Sequence, residues 1–126
     1  MAHAEIVVEV EGLSFEGWLD DASDIGAELL GGLPVTLVLS RWGDEYYGPC
    51  DLTEEPADEM TEVVQVGDLA YWPAGRALCI FFGPTPASHG DEPRAASAVE
   101  VIGHVDVDPA SLRALPDRVT TRVAHR

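Results

Sequence analysis

The side chains in this sequence that are able to do chemistry gather at a few places. Arg41, Trp42, Glu45 and Tyr46 stand close together. Trp72 and Arg76 flank a Pro-Gly turn, and Phe82 ends an apolar run. His89 and Arg94 lie in the stretch that follows. A guanidinium beside aromatic rings donates hydrogen bonds to a carbonyl or carboxylate and offers a planar cation for stacking. These residues therefore make up the candidate ligand-binding set, with Arg41, Trp42, Glu45, Tyr46, Trp72 and Phe82 as its lining. Arg76, His89 and Arg94 are expected at its rim. Three arginines clustered in an acidic chain would make a local positive spot for a carboxylate or carbonyl oxygen. The competing arrangement pairs each with a nearby acid: Arg41 with Asp44 or Glu45, Arg94 with Asp91 or Glu92.

No catalytic residue is assigned. The chain has no G-x-S-x-G, phosphate-loop, H-E-x-x-H or dinucleotide-binding pattern. Its four histidines, His3, His89, His104 and His125, are scattered. Cys50 and Cys79 have no zinc-ligand spacing. Cys79 reads as a core residue and Cys50 as more exposed. Neither a cofactor nor a bound metal is expected.

With 126 residues and 46% hydrophobic content, the chain is long enough for one domain with its own core, over 1–126. No apolar run approaches the length of a membrane span, and the start has no basic segment followed by an apolar one, so a cytoplasmic protein is expected. The net charge is −16, and all seven basic residues are arginine. Such a surface repels nucleic acid and anionic lipid, which excludes both as partners. Two explanations of this charge compete: high-salt adaptation, in which screening removes the self-repulsion of the acids, and a cationic or divalent-metal ligand.

The elements that must position these residues are mostly short strands. Glu5–Val10 and Phe15–Leu19 alternate and read as a hairpin turned at Gly12-Leu13-Ser14. A helix is predicted over about Ala22–Leu30, stopped by Gly31-Gly32. Pro34–Ser40 is a strand, and Arg41 keeps the parity of Val35, Leu37 and Leu39. Its stem therefore starts on their apolar face. A turn at Gly43-Asp44 leads to a returning strand. The run Asp51–Glu62 holds six acids and no base, and reads as an exposed loop with a helical turn near Ala57–Met60.

Val63–Val66 is a short strand, followed by a hairpin of Leu69–Trp72 and Ala77–Phe82. In the second arm Leu78, Ile80 and Phe82 share one face and Ala77, Cys79 and Phe81 the other. Both faces are apolar, so that strand must be covered on both sides. Ala87–Ser97 reads as an irregular loop, Ala98–Asp106 and Asp117–Ala124 as strands, and Asp108-Pro109 as the start of a short helix. Many short strands between Gly and Pro turns point to a barrel or sandwich.

The sequence G-D-L-A-Y-W-P-A-G-R-A-L-C-I-F-F-G-P-T-P at 67–86 resembles a small bacterial and archaeal family with a cyclophilin-like β-barrel. R-W-G-D-E-Y-Y-G at 41–48, D-E-P-R-A-A-S at 91–97 and V-E-V-I-G-H-V at 99–105 are similar to the same family. The likeness runs from about Glu5 to Val123. It implies a mainly β fold: a closed cyclophilin-like barrel of about eight strands with two short helices. It implies no particular reaction, and the F-H-R and Q-G-G-D segments of true prolyl isomerases are absent.

The expected function is a small-molecule or extended-peptide binding module without its own chemistry. One alternative is a divergent peptidyl-prolyl isomerase using Arg41 as donor and Phe82 or Phe81 with Trp72 as proline pocket. Another is a structural or homo-oligomeric interaction protein. The acidic composition adds an expectation that the melting temperature rises between dilute buffer and molar salt. An unchanged melting temperature would contradict the high-salt reading.

Overall fold

The computed structural model describes residues 3–126. β1 (His3–Val10) pairs antiparallel with β2 (Leu13–Asp20), Val10 opposite Leu13. The turn between them is Glu11-Gly12, not Gly12-Leu13-Ser14. Both residues have positive φ, 47° and 86°, which a two-residue hairpin turn needs to match the twist of its strands. α1 (Asp24–Gly31) starts two residues later than expected, because the Ser23 hydroxyl accepts the Gly26 N–H and so fixes the N-cap.

β3 (Val35–Arg41) and β4 (Glu45–Pro49) follow. The acidic run Asp51–Met60 is irregular and mostly exposed, and the helical turn expected at Ala57–Met60 does not form. Backbone N–H groups there are taken up by two carboxylates from the folded body. Glu28 accepts from Thr53 and Glu54, and Glu100 accepts from Ala57. β5 (Thr61–Val63) lies slightly earlier than the strand predicted at Val63–Val66. β6 (Asp68–Trp72), a 3-10 turn at Pro73–Gly75 and β7 (Ala77–Phe81) form the predicted hairpin. β8 (Arg94–Val105), α2 (Pro109–Arg113) and β9 (Arg118–His125) complete the chain.

The sheet order is β2-β1-β9-β3-β4-β7-β6-β8-β5, with a further pairing of β2 to β8. That pairing closes eight antiparallel strands into a barrel and leaves β5 as an extra strand on β8. Closure removes the barrel's exposed edges. The barrel interior holds Ile6, Val8, Leu19, Leu39, Tyr46, Leu78, Ile80, Phe82 and Ile102, among others. Cys50 is in this core and not exposed: its neighbour Leu52 is buried too, and burial pushes its thiol up to about 11.

β8 is longer than predicted and does two jobs. Its second half pairs with β6 and β2 in the barrel, whereas its first half pairs with β5. The stretch expected to be irregular to Ser97 is therefore strand from Arg94 onward. Its apolar residues Ala95 and Val99 have Phe81 and Cys79 to cover, and form a second core with Val64 and Ala70 on the outer face of the barrel wall.

The closing seam has little room. Gly103 of β8 is opposite Leu19, and a Cβ there would collide with the Trp18 carbonyl oxygen. Gly31, at the end of α1, has nothing near its Cβ direction. Gly103→Ala should therefore cost about 1–3 kcal/mol. Gly31→Ala should be neutral or stabilising by about 0.5–1 kcal/mol. Equilibrium denaturation of the two variants checks this, and a Gly103→Ala protein as stable as the parent would mean the seam is looser than described.

Candidate functional site

β4 and β7 lie side by side, with Glu45 opposite Phe81, Tyr46 opposite Ile80 and Tyr47 opposite Cys79. Strand alternation sends Tyr46 to the barrel interior and turns Glu45 and Tyr47 to the outer face. Trp72, at the end of β6, joins them there. Its ring meets Tyr47 edge to face, with centroids 6.3 Å apart at 86°. Its indole Nε1 donates to Ser97 Oγ at 2.6 Å, which ties it to the first half of β8. Between these side chains and β8 lies a cavity of about 200 Å³. It is lined by Trp42, Glu45, Tyr47 and Trp72 on one side and by Ala95, Ala96 and Val99 on the other.

The turn carrying Trp42 is fixed by Arg41. The guanidinium donates from Nε to the Gly43 carbonyl at 2.8 Å, from Nη1 to the Arg113 carbonyl at 2.9 Å and from Nη2 to Asp44 Oδ1 at 3.1 Å. Asp44 Oδ2 accepts from Arg113 Nε at 2.8 Å. Arg41 also lies over the Phe82 ring, 5.6 Å from its centroid, on the apolar side its parity predicts. The turn then sets Trp42 and Glu45 together, with the Trp42 N–H donating to the Glu45 carbonyl at 2.8 Å. Gly43 has a φ of 60° and packs so tightly on Thr85 and Pro86 that a side chain would not fit.

The carboxyl of Glu45 stands apart from the other acids. Glu45 is 5% exposed and has no salt bridge among the described residues. The Cys79 thiol is near enough to influence it, although its hydrogen bond goes to the Ala77 carbonyl. Burial pushes the Glu45 carboxyl up to about 7, and the thiol opposes this only slightly. The same burial drives the Cys79 thiol far above its ordinary range, so it stays protonated.

This fold has a counterpart among solved structures. The solution structure of a hypothetical protein from Archaeoglobus fulgidus matches with a TM-score of 0.79 and 31% identity, over 99% of this chain and 96% of that one. The model of the family described as Cyclophilin-like matches residues 4–124. The chain belongs to that cyclophilin-like family. No curated protein matches it.

In this cyclophilin-like barrel, three of the predicted lining residues meet: Trp42, Glu45 and Trp72. Tyr46 and Phe82 are fully buried inside the barrel, stacked with centroids 5.5 Å apart, and the Tyr46 hydroxyl donates to the Pro116 carbonyl at 2.7 Å. The arginines do not line the cavity. Arg41 pairs with Asp44, Arg76 with Asp51 and Arg94 with Glu92. His89 contributes its backbone N–H to the Glu92 carboxylate, whose acidity that bond strengthens, and it does not line the cavity. Tyr47 is the wall residue that the predicted set omits. Its parity with Glu45 identifies it, since Glu45 and Tyr46 cannot share one face of a strand.

Glu45 binds its proton more tightly in the folded chain than in the unfolded one. Between about pH 4.5 and 7 the folded state keeps a proton that the unfolded state releases, so stability falls as pH rises through that window and levels off above it. Replacing Glu45 with Gln removes this contribution. The stability of Glu45→Gln relative to the parent should grow by roughly 3 kcal/mol from about pH 4 to about pH 8. Denaturation of both proteins across that range measures it; a gap that does not change with pH contradicts the buried, unpaired carboxyl.

Proposed function

We propose that this protein is a binding module for a small molecule, held in the outer-face cavity and subject to no reaction there. The observation that carries this reading is the cavity's composition: three half-buried aromatic side chains, apolar β8 residues and one buried polar group. Small-molecule sites combine apolar walls with a few placed polar groups in this way. A volume near 200 Å³ lies below the ~300 Å³ at which drug-sized sites begin. The ligand is therefore small, or is a single side chain of an extended peptide laid across the opening.

Catalysis finds less support. A carboxyl near neutrality is suited to proton transfer, but no second group of matched acidity lines the cavity among the described residues. The isomerase alternative needs a free donor beside a proline pocket. The Arg41 guanidinium is committed to Gly43, Asp44 and Arg113, and the polar group in the cavity is an acceptor when ionised.

A mixed library of small neutral, anionic and cationic fragments, followed by amide and indole NMR spectra, tests the proposal. Binding should shift the indole signals of Trp42 and Trp72 and the amides of Ala95 and Ala96, and Trp72→Ala should abolish those shifts. Fragments that move only signals elsewhere, or none, would overturn the assignment of this cavity.

A further inference from the structure

Resting on the reading of this cavity as a ligand site, we infer that its ligand is a small organic ammonium cation, set against the Glu45 carboxylate and enclosed by the rings of Trp42, Tyr47 and Trp72. Aromatic rings present negative faces and attract cations such as alkylammonium groups, most strongly where water is excluded. Here three rings share a cavity with the carboxyl of Glu45, a residue only 5% exposed that has no counter-ion among the described residues. A buried carboxylate without a partner is costly, and a cation delivered by the ligand supplies the missing partner.

Other ligand classes fit less well. No basic side chain lines the cavity, so an anion would meet only Glu45, in a chain of net charge −16. A divalent metal needs several ligating groups, and no group of three or more His, Cys, Asp or Glu among the described residues is placed to hold one. A neutral molecule can fill the volume but leaves the carboxyl without its counter-charge. The acidic surface also raises the local concentration of any cation, less so at high salt.

Binding should be linked to the protonation of Glu45. The groups facing it are few: Tyr47 on its own strand, Cys79 on β7, and no ionisable side chain from Trp72 of β6 or from Ala95, Ala96 and Val99 of β8. Burial keeps the Cys79 thiol protonated, so Glu45 is the group that must lose a proton. Affinity for a cation should rise as pH increases through the range in which Glu45 ionises, and then become constant.

The test compares tetramethylammonium with its neutral counterpart of similar shape, tert-butanol, and with acetate. Each is titrated into the full chain at constant ionic strength, with the Trp42 and Trp72 indole signals as the readout. Tetramethylammonium should bind saturably and at least about tenfold more tightly than tert-butanol. Glu45→Gln should weaken it by about tenfold or more and remove the pH dependence of its affinity, while amide signals away from the cavity stay those of the parent, which separates charge recognition from loss of fold. Equal binding of the neutral probe, tighter binding of acetate, an unchanged affinity in Glu45→Gln, or no binding of tetramethylammonium would each overturn the inference. If fragments of another class still bind the cavity, the small-molecule reading survives and only the ligand class is wrong. If no fragment binds there, both fail.

Discussion

β7 is the strand on which the rest of the molecule depends, because none of its residues is more than 2% exposed. A strand that is apolar on both faces needs cover on both sides. Leu78 and Ile80 receive it from the barrel interior, together with Phe82 just beyond the strand. Cys79 and Phe81 receive it from the first half of β8, which leaves the barrel, pairs with β5 and lays Ala95 and Val99 over them. The cavity exists because that second layer is incomplete where Glu45, Tyr47 and the two tryptophans stand. Fold and site thus follow from one demand for burial.

The distribution of charge explains which residues hold the fold and which line the cavity. Arg41 and Arg113 converge on Asp44, so the cations nearest the site are used to hold the Trp42 turn rather than to meet a ligand. Glu45, one residue further on, turns to the opposite face and escapes all of them. The result reverses the polarity expected from the sequence. A cluster of arginines would have offered a positive spot, but the cavity offers a carboxyl held near neutrality by its burial.

Much of the fold was legible because it depends on local rules. The two faces of β7, the apolar parity of Arg41, the Pro73–Gly75 turn and the helix start at Pro109 all follow from period-two alternation or from the conformational limits of Pro and Gly. The site was only partly legible. Trp42, Glu45 and Trp72 were found by residue type and position at strand ends. Tyr46 and Phe82 were placed with them although their parity puts them inside the barrel, and the same parity would have pointed to Tyr47. The long-range features carry no local signal. That β8 extends back to Arg94, and that Arg113 reaches Asp44 across 69 positions, depends on tertiary contacts which periodicity does not encode.

The central claim is that Glu45 carries a buried carboxyl, without a counter-charge among the described residues, in the lining of an aromatic cavity. The most direct measurement is the titration of its side-chain carbon by NMR in the free protein, assigned through Glu45→Gln. The account predicts a midpoint of about 7. A midpoint at or below the ordinary value of 4.5 would mean that the carboxylate is solvated or already paired, and would contradict it.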